Sequence, residues 1–260
     1  MAETQIADIQ QYRQKKRRSG NFRWVLLILF FFACACAGYF FALSSFFAIT
    51  NIEINGNTNV CRERLQGLSG LELGHNILLF NTTDTERFLR IHPYVVEANV
   101  RRILPGTVII EVTEREAVAR LVSGQAHLKI DADGFVLERR VALEPEWVLG
   151  FPLVTGVGHF PAGILPGSYI ESENIAVALQ VLNSLPPSAL QDITEIDVSD
   201  PQKIRLHMPG SVELRLGGPT DLVAKFVLAV NIADYLYQTG QAAGIQYVDV
   251  SSDRPVIMPR

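Results

Sequence analysis

The chain has 260 residues, 48% hydrophobic and 19% charged, with 19 Gly, 13 Pro and a formal net charge of −4. That length makes one large domain or two small ones, and the composition excludes collagen-like, mucin-like and disordered chains. The acidic balance argues against a nucleic-acid binder, and three cysteines build neither a disulfide framework nor a four-ligand zinc cluster.

The mean hydropathy of +0.18 traces to one segment near the start. Residues 24–47, WVLLILFFFACACAGYFFALSSFF, carry no charge. As a helix at ~1.5 Å per residue they run about 36 Å, enough to cross a hydrocarbon core of roughly 30 Å with some tilt. A helix apolar all round for that length suits lipid better than a globular core. Trp24 and Phe47 mark the two ends of this expected membrane anchor. Ahead of it stand Arg13, Lys15, Lys16, Arg17, Arg18 and Arg23 against Glu3 and Asp8, a balance of +4. After it, 17 Lys and Arg face 25 Asp and Glu, a balance of −8. The six cations are therefore read as topogenic: residues 1–23 stay in the cytoplasm and 48–260 lie outside. A cleaved signal peptide, cut near Ala35-Cys36-Ala37, would not need the apolar run to continue through Tyr39, Phe40, Phe41, Ala42 and Leu43. Phe31-Phe32-Ala33-Cys34 is a poor lipidation box, and small residues there suit helix packing. Asn81-Thr82-Thr83 fits a glycosylation sequon whose meaning depends on the host.

Beyond the anchor, residues 49–54 alternate loosely and read as a strand that Asn55-Gly56-Asn57 stops. Residues 60–68 predict a short helix with Asn59 as its cap. Thr83 and Glu86 stand at capping-box spacing before a second helix, which Pro93 keeps from continuing past His92. Residues 95–103 and 107–113 are two strands around Leu104-Pro105-Gly106, with Val108, Ile110 and Val112 on one face of the second. The order β-α-α-β-β lays two helices on one small sheet.

From Val118 the pattern changes. Residues 126–130 and 134–137 flank Asp131-Ala132-Asp133 as a hairpin, and the Gly- and Pro-rich stretch 151–167 reads as irregular. Ile175, Ala178, Leu179, Leu182 and Leu185 fall at helical spacing, ending at Pro186-Pro187. Three short strands follow at 193–198, 203–208 and 211–216. Thr220 or Asp221 caps a longer helix with Leu222, Phe226, Val230, Ala233 and Tyr237 inward, stopped by Gly240. Strands at 245–250 and 256–258 close the chain. The fold class is α+β: a cytoplasmic tail (1–23), a membrane helix (24–47), a small β-α-α-β-β domain (48–117) and a mixed, mostly antiparallel domain (118–260).

No catalytic constellation is legible. Asp131-Ala132-Asp133-Gly134 hints at a calcium loop, but Ala142 stands where the bidentate Glu belongs, so the hairpin reading prevails. His75, His92, His127, His159 and His207 show no metal-ligand spacing. Gly67-Leu68-Ser69-Gly70 lacks the nucleophile-elbow spacing, and Cys61 is expected to be buried and inert. Nothing meets the test of nucleophile, base and orienting group, and the chain is read as a non-enzyme without metal, cofactor, small-molecule substrate or nucleic acid.

Several motifs resemble the FtsQ/DivIB family of bacterial cell-division membrane proteins. Ile52-Glu53-Ile54-Asn55-Gly56-Asn57 looks like the opening strand of that family's POTRA domain. His92-Pro93-Tyr94-Val95-Val96-Glu97 and Leu104-Pro105-Gly106-Thr107-Val108 look like its helix-to-strand passage and hairpin. Leu104 and Ala117 depart from the Trp and Pro that the family often writes there. Ile130-Asp131-Ala132-Asp133-Gly134, Phe151-Pro152-Leu153-Val154-Thr155-Gly156 and Tyr247-Val248-Asp249-Val250 resemble its β domain. The resemblance implies a single-pass type II protein of the bacterial cytoplasmic membrane, located at the division septum. It further implies a scaffold that binds FtsB/FtsL-type bitopic partners outside the membrane and helps recruit or regulate septal peptidoglycan synthesis.

The residues favour binding by strand addition. The strand at 254–258 is expected at a sheet edge, where unpaired N–H and C=O groups can receive a partner segment; Pro255 suits an edge. With the family's partner contact on the last helix and closing strands, the expected partner-binding residues are Tyr247, Asp249, Arg254, Val256, Ile257 and Met258. The alternative is a membrane-tethered POTRA chaperone that binds exported chains through the small sheet.

Overall fold

The computed structural model describes residues 2–123, 125–141, 150–158, 164–209, 212–252 and 254–260, with only the backbone described for 2–21 and 123. His159 and Ala142 lie outside the described residues. By compactness the chain divides into two units, 1–55 with 62–86 and 99–111, and 56–61 with 87–98 and 112–260.

Helix α1 spans Ala2–Ala42, and its stretch Phe22–Ala42 is apolar enough to cross a membrane. The expected anchor reached Phe47; the helix stops five residues earlier. Ser44 takes extended backbone (φ −69°, ψ 160°), and its hydroxyl donates to the Phe41 carbonyl at 2.6 Å. A serine hydroxyl that competes for a helix-end carbonyl favours such a stop. A single 3-10 turn, Ser45–Phe47, follows.

The small sheet runs β1-β3-β2, from β1 (Asn51–Asn55), β2 (Val95–Ile103) and β3 (Thr107–Glu114), with β1 and β3 parallel. Helices α2 (Arg62–Ser69) and α3 (Thr82–Leu89) lie between β1 and β2 in sequence, the expected β-α-α-β-β order. Val108, Ile110 and Val112 are buried, as their alternation requires. Ile49, Ile54, Leu65 and Ile77 are buried as well.

The caps differ from expectation. Ahead of α2, the N–H groups of Asn59 and Val60 donate to the Glu114 carboxylate at 2.6 and 3.1 Å, so an acid from β3 holds the segment that leads into the helix. Asn81, not Thr83, caps α3: its Oδ1 accepts from the Thr83 N–H at 3.1 Å. Glu86 instead accepts from the Val100 N–H at 3.0 Å and ties the helix to β2. Cys61, expected to be buried, is exposed, because Val60 takes the buried position beside it.

Among the described residues the second sheet has nine strands in the order β12-β11-β10-β9-β8-β7-β4-β5-β6. They are β4 (Ala119–Ser123), β5 (Ala126–Ile130), β6 (Val136–Arg140), β7 (Leu153–Thr155), β8 (Glu195–Asp197), β9 (Ile204–His207), β10 (Glu213–Gly217), β11 (Ile245–Asp249) and β12 (Val256–Pro259). Pairs β4–β7, β7–β8 and β10–β11 are parallel, and the others are antiparallel. Among the described residues three helices accompany this sheet: α4 (Glu173–Ser184), α5 (Pro187–Gln191) and α6 (Leu222–Gln238). Strand β7 falls in the stretch expected to be irregular. Three residues are too few to show a period of two, yet Val154 is fully buried and pairs with Leu121 on one side and Ile196 on the other. Asp221 precedes α6 in the left-handed region (φ 53°) with no side-chain cap bond, against the expected cap.

Asp131 is a structural carboxylate. Its Oδ1 accepts from the N–H groups of Asp133 and Phe135 at 2.9 and 2.8 Å, and its Oδ2 from Arg115 at 2.7 Å. The Gly134 N–H donates to the Asp131 carbonyl at 3.1 Å, so the side chain and main chain of Asp131 together hold the tight turn. Gly156 marks a close backbone approach. Its φ is +77°, and a Cβ there would sit 2.2 Å from the Ser199 nitrogen.

Candidate partner-binding edge

A row of side chains crosses the nine-stranded sheet from strand to strand. Val154, Ile196, Leu206, Leu214, Val248 and Ile257 are register partners in turn through β7, β8, β9, β10, β11 and β12. Residues directly opposite share a face, and the first five are fully buried. Helix α6 packs on β10 and β11 from one face and turns Leu222, Phe226, Ala229, Ala233 and Leu236 into the core. The sixth member, Ile257, remains 43% exposed. The core row thus runs out at the sheet edge with one apolar side chain half uncovered.

The backbone of β12 is equally asymmetric. The Arg260 N–H donates to the Gly244 carbonyl at 2.8 Å, and the Val250 N–H to the Arg215 carbonyl at 2.9 Å. Strand alternation then turns Tyr247 and Asp249 toward Val256 and Met258 and leaves Ile257 facing away from β11. Pro255 and Pro259 share that outward parity and have no N–H. The outer edge therefore offers three carbonyls and a single N–H, that of Ile257. Prolines at an edge guard against indiscriminate pairing.

On the opposite face, Tyr247 pairs with Glu213 and Met258, and Asp249 pairs with Arg215 and Val256. The Arg215 guanidinium lies 3.4 Å from the Tyr247 ring centroid and donates to Glu213 at 2.6 Å. Asp249 accepts from the Ser251 N–H at 2.9 Å. Beyond them a polar cavity of about 430 Å³ is lined by Lys203, Arg205, Arg215, Asp249 and Ser251, among others. Nearby, the Gln202 backbone N–H and then Lys203 hold Asp200 below the ordinary carboxylate range. Arg205 pairs with Asp197 at 3.4 Å. Among the described residues no group of three or more His, Cys, Asp or Glu could hold a metal ion.

Five of the six expected partner residues therefore meet on β11 and β12. Arg254 lies exposed in the turn before β12, where its carbonyl accepts from the Ser252 hydroxyl at 3.1 Å. Trp24 is exposed on α1, Phe47 lies in the turn after it, and Arg23 is exposed near the start of the apolar stretch. Arg13, Lys15, Lys16, Arg17 and Arg18 fall within the described backbone of α1.

The outer face of α6 was not expected from the sequence, and Tyr237, expected inward, lies exposed on it. Val223, Val227, Leu228, Tyr235 and Tyr237 are exposed there, Val223 to 50%. Val223 and Val227 line a groove of about 760 Å³ with Gln180 and Ser184 of α4. The signal was available: once Leu222, Phe226, Ala229, Ala233 and Leu236 fill the core stripe, the remaining apolar residues have no inward position left.

Residues 47–115 match the FtsQ-type POTRA domain, and residues 119–251 match the C-terminal domain of cell division protein FtsQ/DivIB. The chain belongs to the FtsQ/DivIB family. Cell division protein FtsQ of Syntrophotalea carbinolica is 30% identical over 192 residues, 71% of this chain and 65% of that protein. FtsQ of Koribacter versatilis is 27% identical over 222 residues, covering 80% and 59%. Cell division protein DivIB of Clostridium botulinum (strain Hall) is 25% identical over 258 residues, 96% of both chains. The chain thus spans about two thirds or less of the first two relatives' lengths. The solved extracytoplasmic domain of DivIB from Geobacillus stearothermophilus is also similar, at 16% identity over 48% of this chain and 97% of that chain, with a TM-score of 0.33. Within the FtsQ/DivIB chain described here, β11 lies wholly inside the matched C-terminal domain, and β12 follows it.

Proposed function

We propose that this FtsQ/DivIB chain is a non-enzymatic, single-pass scaffold of bacterial cell division. Its basic residues 1–23 stay in the cytoplasm, α1 crosses the membrane, and a POTRA domain (48–117) and a β domain (118–260) stand outside, at the septum. It binds an FtsB/FtsL-type bitopic partner by strand addition on β12 and so helps recruit or regulate septal peptidoglycan synthesis. Tyr247, Asp249, Arg254, Val256, Ile257 and Met258 form the contact, with the outer face of α6 beside it.

The observation that carries this reading is the half-uncovered Ile257 at the end of an otherwise buried row, on an edge strand with free carbonyls. A partner strand laid against β12 would cover Ile257 and pair the outward backbone, while Val256 and Met258 present alternate side chains to it. Membrane anchoring is supported by the asymmetric charge across α1. The test is removal of residues 254–260. The partner should no longer co-purify, while the remaining ectodomain still melts cooperatively; co-purification that survives the deletion contradicts edge pairing.

A further inference from the structure

The end of α1 is stitched to two loops of the small domain. The Asn76 amide donates to the Ala42 carbonyl in the last turn of α1 at 2.7 Å. The Ile77 N–H donates to the Phe47 carbonyl, the Ile49 N–H to the His75 carbonyl and the Gly74 N–H to the Ile49 carbonyl, each at 2.8 Å. On the other side, the N–H groups of Thr50 and Asn51 both donate to the Gly106 carbonyl, at 2.8 and 3.2 Å. A Cβ on Gly106 would meet the Ala48 carbonyl oxygen at 2.4 Å, so the second loop approaches the exit segment as closely as backbone allows.

These loops carry apolar side chains that the small domain leaves uncovered. Leu73, Leu78 and Leu79 flank the 74–77 contacts, and Ile103 and Leu104 precede Gly106. With Phe46 of the exit turn they are between 38% and 69% exposed. Phe46 stacks on Phe41 at 5.5 Å and meets Phe47 edge-on at 5.1 Å. Scattered exposed leucines need no explanation, but these five sit on two loops bonded to the same exit segment.

The depth of this collar follows from helix length. Phe22–Ala42 is 21 residues, about 31 Å at ~1.5 Å per residue, against a hydrocarbon core of roughly 30 Å. With Arg23 at the inner boundary, Ala42 lies at the outer one, and residues bonded to 42–51 lie within the interfacial layer. The charges suit that place. Arg102 donates to the Phe80 carbonyl and stacks over its ring at 4.5 Å, which holds a cation next in sequence to Ile103 and Leu104. The Glu72 carboxylate lies 3.5 Å from His75 Nε2.

We infer that the loops at 73–79 and 103–106 dock into the outer interface of the bilayer that α1 spans, forming an apolar collar around the helix exit. The collar fixes the height and tilt of the small domain above the membrane, as interfacial Leu, Phe and Arg anchors do in monotopic proteins. The inference rests on the membrane-spanning reading of α1.

The test places a benzophenone photoprobe in the full chain at Phe31, Leu79, Leu104 or Val223, one at a time. Each variant is reconstituted in nanodiscs of phosphatidylethanolamine and phosphatidylglycerol and checked for an unchanged melt. After irradiation, intact mass reads the adducts. Lipid adducts at Phe31, Leu79 and Leu104, with none above background at Val223, support the collar. A lipid adduct at Phe31 with none at Leu79 and Leu104 overturns the collar and leaves the anchor standing. A protein–protein adduct at Leu79 assigns the patch to a second copy and overturns it too. Equal lipid adducts at Val223 mean unspecific contact and do the same, and no adduct at Phe31 removes the anchor and the collar together.

Discussion

Ile257 can be tested through its side chain and its N–H separately. Full burial of an Ile side chain is worth about 1.5–3 kcal/mol, and 43% of Ile257 is still open. A partner that covers this remainder gains roughly 0.6–1.3 kcal/mol from it, so Ile257→Ala should weaken binding about 3- to 9-fold. Ile257→Pro removes the same side chain and also the one outward N–H of β12. The partner carbonyl facing it is left unpaired, costing about 1–3 kcal/mol more, a further ~5- to 150-fold. The fold should tolerate this proline, since the lost donor faces away from β11. Met258→Pro is the mirror experiment: it deletes an N–H turned toward β11 and should lower the melting temperature. The assay titrates the full chain in nanodiscs with the ectodomain of the FtsB-type partner by calorimetry, beside a thermal melt of each variant. If Ile257→Pro binds as well as Ile257→Ala, the partner does not read the β12 backbone and strand addition at this edge is wrong.

Three further outcomes test the frame that holds the edge. Gly156→Ala should cost more than about 2 kcal/mol, because it combines left-handed strain with a Cβ driven into Ser199 backbone; chemical denaturation measures it. Asp131→Asn leaves Arg115, a largely covered side chain, without its carboxylate, and should cost about 2–3 kcal/mol after allowance for solvent, a melting temperature lower by several degrees. Burial raises the Tyr94 phenol above its ordinary value. The unfolded chain therefore loses this proton first, so stability holds below pH ~10 and falls as pH rises beyond it. Melts from pH 8 to 11 should show the fall, and Tyr94→Phe should flatten it.

Most strands were legible because their faces differ. Val108, Ile110 and Val112 alternate with polar neighbours, and the structure buries all three. Strand β7 was not legible, since three residues carry no period and its burial comes from partners distant in sequence, Leu121 and Ile196. Caps failed for a related reason. Glu114 and Glu86 act on N–H groups that are distant in sequence or belong to another element, whereas capping rules look only along the chain. The end of α1 depended on one Ser hydroxyl returning to Phe41, a local event inside a run that composition alone treats as uniform. The last strand could be expected at an edge, but that Ile257 alone presents an outward N–H needed the register of β11 and the two prolines together. The outer face of α6 was hidden by its own richness, because a helix apolar on both sides does not announce which side the core takes.

In the proposed complex, β12 receives the division partner. The direct measurement is in-cell photocrosslinking from position 256 of the full chain, with the captured protein identified by mass spectrometry. Capture of the FtsB-type bitopic partner, lost when residue 257 is proline, is the predicted result. Absence of that partner from the adducts at 256, with its capture instead from a probe on β2 of the small sheet, would contradict the claim.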